Sequence, residues 1–69
     1  MSVNYNPLWH RLVDLKMQKK QLAEKADVSI STIMKMGRDE YVALEVLEKI
    51  CQALDCKLDD VVEFTDGKE

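Results

Sequence analysis

At 69 residues the chain has room for one domain with a single small core, near the lower limit for folding without metals or disulfides, and no second, ligand-sensing domain is expected. A net charge of −3 and a pI near 5.1 stand, at first sight, against a polyanionic partner. No run approaches the roughly 18 apolar residues of a membrane span, and MSVNYNP lacks the charged-then-apolar build of a signal peptide, so a cytoplasmic location is expected.

Residues 1–6 and 65–69 carry no pattern and are expected to be flexible, leaving a folded core over about 7–64. In the opening segment LWHRLVDLK, Leu8, Leu12 and Leu15 recur at helical spacing and predict a first helix with that stripe inward. Trp9 falls beside the stripe, where it covers either the edge of the core or a partner surface.

Lys19 to Arg38 (KKQLAEKADVSISTIMKMGR) is the most informative stretch. Leu22, Ala23 and Ala26 share one helical face, Val28 falls in a turn, and Ile33 and Met36 make the inner face of a second helix over about 30–36. Ala23 is the sharpest sign, because two helices crossing steeply can approach only if one carries a short side chain at the contact. Ser29 stands where its hydroxyl can accept from the amide near Thr32, and Gly37 stands in the position of a C-cap. These signals predict a helix-turn-helix whose second helix exposes Ile30, Ser31 and Thr32, then Met34 and Lys35.

Further along, Leu44, Leu47, Ile50, Cys51 and Leu54 form another inward stripe, and LDDVVEF predicts a short last helix whose dipole suits Asp59 and Asp60 at its start. Cys51 is expected to face the core and Cys56 to lie in the following loop, both as free thiols. Their spacing, with His10 the only histidine, offers no metal set, and no further acids accompany Asp59 and Asp60 at ligand spacing. A lone histidine without an activated nucleophile, and no glycine-rich phosphate loop, leave nothing to propose as a catalyst or cofactor site.

The charge objection weakens once its distribution is read. Residues 1–38 hold seven Lys/Arg against three acids, a net +4, whereas residues 39–69 hold three against ten, a net −7. The sign changes just after the second helix of the pair, and Lys16, Lys19, Lys20, Lys35 and Arg38 bunch around it.

From about Pro7 to Phe64, through LWHRLVDLK, the helix-turn-helix and YVALEVLEKICQALDCKLDDVVEF, the chain resembles the small DNA-binding domains of the Cro/C1 (XRE, lambda-repressor-like) family. The resemblance implies an all-α fold of five helices, with LDDVVEF as the fifth. It also implies a sequence-specific transcriptional regulator, a repressor that acts as a homodimer on double-stranded DNA. Its dimer surface is expected around the fourth and fifth helices and the tail from Val61 onward. Lys16, Lys19, Lys20, Arg38 and Tyr41 are the expected phosphate contacts, although Tyr41 equally fits a partly buried core position. Ile30, Ser31, Thr32 and Lys35 are the expected base readers: hydroxyls donate or accept, the Thr32 methyl can meet a thymine methyl, and Lys35 can donate to guanine.

Four positions depart from the family pattern. Ile30 replaces a polar residue such as Gln and offers apolar contact, to a thymine methyl or to a neighbouring helix. Asp27 replaces a turn glycine at a position expected to need positive φ, while Gln18 and Ala43 replace hydroxyl caps. The alternative function is a protein-interaction module of the same fold, antitoxin-like or anti-repressor-like, whose acidic half binds a basic partner.

Overall fold

The computed structural model describes residues 2–65. Four helices supply the frame: α1 (Asn6–Leu15), α2 (Lys19–Ala26), α3 (Ile30–Gly37) and α4 (Leu44–Leu54). Pro7 lies in the first turn of α1, where its missing N–H would have had no helical partner. Lys16, Asp27 and Asp55 end α1, α2 and α4 in the left-handed region, so Asp27 does carry the positive φ expected of its turn position, at 58°. The inward faces meet as the sequence predicts: Leu8 and Leu12 of α1, Leu22, Ala23 and Ala26 of α2, Ile33 and Met36 of α3, and Leu47 and Ile50 of α4 are all buried. With Ala23 buried at the join, α2 packs against both α3 and α4.

The expected fifth helix is not present. Leu58–Asp60 form a single 3₁₀ turn, and the chain then becomes extended as β2 (Glu63–Thr65), pairing antiparallel with β1 (Ser2–Asn4). Val3 lies opposite Phe64, and the Ser2 and Thr65 hydroxyls bond at 2.8 Å. Two causes are visible. Asp60 turns back to accept the Lys57 N–H at 3.1 Å, closing the turn, and the β-branched Val61, Val62 and Thr65 favour an extended chain. Val61 is completely buried, so the exposed part of the tail starts beyond it. The fold is therefore mostly helical with a small two-stranded sheet, not all-α with five helices.

Residues 2–6, expected to be flexible, are held instead. Tyr5 is 1% exposed, and its hydroxyl donates to the Glu40 carbonyl at 2.7 Å, tying the N-terminal segment to the link between α3 and α4. Burial pushes its phenol above the ordinary tyrosine value. Thr65 belongs to β2, while Met1 and residues 66–69 lie outside the described residues. Two stripe residues also face outward: Leu15, in the last turn of α1, is 50% exposed and Leu44, in the first turn of α4, is 69% exposed. A stripe's ends overhang a core this small.

Gly37 lies inside the last turn of α3, and the left-handed residue after that helix is Asp39. Gln18 is less deficient as a cap than its type implies, because Gln21 Oε1 accepts its backbone N–H at 2.7 Å, the returning half of a capping box. Ala43 has extended N-cap geometry and no side-chain cap bond, as expected. Cys51 is half-buried against the core, and Cys56 lies half-buried in the loop after α4, both as thiols. Among the described residues no helix is long and apolar enough to cross a membrane.

Candidate nucleic-acid interface

The second helix of the pair presents the surface its pattern predicts. Ile33 and Met36 have no exposed surface, and this buried face fixes the rotation of α3 about its own axis. On the outside Ile30 is 47% and Met34 52% exposed, with Ser31 and Lys35 also exposed and Thr32 half-buried. Ile30 is thus not packed away against a neighbouring helix.

Ser29 organises the first turn. Its Oγ accepts the Thr32 N–H at 3.3 Å and lies 3.1 Å from Ser31 Oγ and 2.9 Å from Thr32 Oγ1. This satisfies one of the free amides at the start of α3 and holds both expected reading hydroxyls in one small network. A hydroxyl offers one donor and two acceptor positions, so each keeps capacity for a further partner.

The expected cationic residues are placed unequally. Lys16, Lys19 and Lys20 are exposed around the join of α1 and α2, with Lys19 the first residue of α2. The Lys19 ammonium stands 4.6 Å from the centre of the Trp9 ring, and a Cβ added at Gly37 would come within 3.1 Å of it. Trp9, Lys19 and Gly37 come from three helices, and no periodicity in the sequence joins them. Trp9 itself is half-buried at the core edge, one of its two expected placements.

Beyond α3, Arg38 Nε donates to Glu40 Oε2 at 2.8 Å, an exposed pair. The Arg38 guanidinium, with Lys35 further off, holds the Glu40 carboxyl below the usual glutamate range. Tyr41 is 73% exposed, which removes its core reading, and its ring lines an open apolar groove with Leu44, Leu58 and Phe64. Arg11 bridges to Asp60 at 3.5 Å, joining α1 to the 3₁₀ turn.

A buried-backed helix with a polar-capped, exposed first turn, preceded by a helix whose start carries lysines, is the arrangement of helix-turn-helix DNA-binding proteins. Residues 7–67 match the Cro/C1-type HTH DNA-binding domain. The chain belongs to that family.

Two relatives agree with the Cro/C1-type assignment. The chain is similar to the transcriptional regulator VanUg, known from a crystal structure (Form II), with a TM-score of 0.85 and 45% identity over 90% of this chain and 83% of that one. It is also similar to an uncharacterized HTH-type transcriptional regulator, YozG, of Bacillus subtilis (strain 168), 30% identical over 60 residues, which is 84% of this chain and 71% of the relative. The VanUg likeness, over 90% of this chain, supports a mostly helical regulator fold for this Cro/C1-type chain.

Proposed function

We propose that this Cro/C1-type protein is a sequence-specific repressor that inserts α3 into the major groove of its operator and acts as a homodimer. The observation that carries the reading is the division of α3 into a sealed inner face, Ile33 and Met36, and an outer face of Ile30, Ser31, Thr32, Met34 and Lys35. Side chains that project from the start of a helix locked in this way reach base edges when the helix lies in the groove.

Lys35 donates to guanine O6 or N7, the Ser31 and Thr32 hydroxyls serve either donor or acceptor edges, and Ile30 meets a thymine methyl. Apolar Ile30 favours a T-containing half-site over one read by bidentate hydrogen bonds. Lys16, Lys19 and Lys20 meet phosphates on one side of the groove and Arg38 on the other, with Arg38 leaving Glu40 as it does so. Tyr41 contributes only its hydroxyl to a phosphate, because its ring lines the apolar groove.

That groove supports the dimer. Tyr41, Leu44, Leu58 and Phe64 are large, exposed and adjacent, an apolar area of the kind that marks association surfaces. Pairing two copies there doubles a readout of few base pairs, on half-sites about one helical turn apart. The same groove favours the second reading, an interaction module with a basic partner, since exposed Asp59 lines it and exposed Glu40, Glu45 and Glu63 adjoin lining residues in sequence.

Selection from a randomised duplex pool tests both. An enriched, two-fold symmetric motif, with affinity that Lys35→Ala lowers on that motif more than on a scrambled duplex, establishes the repressor reading. Absence of any enriched motif, together with a protein that stays monomeric at all concentrations, transfers the assignment to the interaction module.

A further inference from the structure

The Lys19 ammonium is held between α1 and α3 without being neutralised. The face of the Trp9 ring attracts it across 4.6 Å, while the ion pairs among the described residues, Arg11 with Asp60 and Arg38 with Glu40, leave it without a carboxylate. An aromatic face restrains a cation but carries no net charge to compete with a phosphate. A carboxylate at the same place would have to be displaced.

Gly37 is the other wall. It sits in the last turn of α3, with a backbone any residue could adopt, and helix propensity there favours alanine. A Cβ at that position would reach to 3.1 Å from Lys19 Nζ, closer than ordinary van der Waals contact, so a side chain there would displace the flexible ammonium by a few tenths of an ångström and a larger one by more. The carbonyls at that end carry the negative pole of the helix and favour a cation.

We propose that Trp9 and Gly37 are positioning residues for DNA binding: together they hold the Lys19 side chain in one place as a preset phosphate contact. The inference rests on Lys19 touching the DNA backbone, as proposed above. A lysine fixed before binding loses less side-chain freedom when it meets the phosphate, so the gain appears in affinity for every sequence and not in discrimination among them.

The test uses the full chain and a mixed-sequence DNA duplex, which requires no known operator. Wild type, Trp9→Phe, Trp9→Leu and Gly37→Leu are each titrated with and without Lys19→Ala, across salt concentration, with Tm recorded for every protein. Trp9→Leu should weaken binding about two- to fivefold, and Trp9→Phe should recover part of the loss. Gly37→Leu should weaken binding while leaving Tm equal or higher, a split that loss of structure does not produce. Both losses should vanish in the Lys19→Ala background. As Trp9 is the only tryptophan, duplex binding should shift its emission in wild type and not in Lys19→Ala.

Losses that persist undiminished beside Lys19→Ala would overturn the positioning role, as would Trp9→Leu and Gly37→Leu proteins that bind as wild type does. If Lys19→Ala weakens binding while those two do not, only the cage is lost. If Lys19→Ala itself leaves binding and the salt slope unchanged, the phosphate contact fails and the positioning role fails with it.

Discussion

Tyr5→Phe tests the hydroxyl that ties the N-terminal segment to the link between α3 and α4. The ring is 1% exposed, so phenylalanine keeps the packing and removes only the hydroxyl and its 2.7 Å bond to the Glu40 carbonyl. A net hydrogen bond contributes about 1 kcal/mol, and a carbonyl left without its partner raises the loss toward 2 kcal/mol unless water replaces the hydroxyl. Glu40 lies in an exposed link, so water reaches its backbone and the expected loss is about 1–1.5 kcal/mol. For a domain of this size that lowers Tm by about 4–8 °C per kcal/mol. Urea unfolding should show a lower midpoint with unchanged slope. Alkali supplies a second readout. Burial raises the folded phenol above its unfolded value of 10.0, so the unfolded chain ionises first. The stability held by neutral Tyr5 is complete below that value and is lost as pH rises through the folded one. Wild type should therefore lose its advantage over Tyr5→Phe as pH climbs past 10.0. Equal stability at neutral pH, or a gap that does not narrow in alkali, would refute the role given to this bond.

Ala43 already has N-cap geometry without a capping side chain, so Ala43→Ser should add about 1 kcal/mol, read as a raised urea midpoint; no gain would show that the cap site is blocked. Ala23→Leu should cost about 1–3 kcal/mol by forcing α2 away from its neighbours, and its DNA affinity should fall as α3 shifts; a protein of wild-type stability would deny the tight crossing. Glu40→Gln frees Arg38 and should strengthen binding to any duplex while steepening its salt dependence; unchanged titrations would show that Arg38 does not reach phosphate.

The helices were legible because each buries a regular stripe, and the turn between α2 and α3 was legible because Ala23, Asp27 and Ser29 each answer a separate local demand. The outer face of α3 followed from the inner one. The two strands were not legible: three residues each, and some sixty positions apart, they are too short for an alternating pattern and are paired only by the closed fold. Tyr5 was missed for the same reason, since its burial depends on the Glu40 carbonyl, far away in sequence. LDDVVEF was misread because Asp59 and Asp60 fit a helix start, while the valines after them favour extension. Leu15 and Leu44 kept the spacing of core residues at helix ends that reach past the core. The surroundings of Lys19 had no sequence signal, because three helices bring Trp9, Lys19 and Gly37 together.

The charge partition gives the proposed dimer and the proposed DNA contact opposite responses to salt. The proposed phosphate contacts by Lys16, Lys19, Lys20 and Arg38 release counterions, and each steepens the fall of log affinity against log salt by about 0.9. The groove is lined in part by exposed Asp59 and draws most of its lining from the half of the chain carrying net −7, so two copies meeting there repel until salt screens them. Apolar contact between Leu44, Phe64 and their counterparts gains nothing from low salt. At protein concentrations below the dimer constant, added salt therefore promotes pairing while it loosens the grip on phosphate. The apparent slope is then shallower than the number of phosphate contacts requires, and it steepens once protein is raised high enough for the dimer to form first. On the proposed reading, such an acidic regulator avoids indiscriminate binding, since a lone copy would carry few cations to the backbone and only the proposed paired, correctly spaced form would accumulate enough of them together with the proposed base contacts of α3.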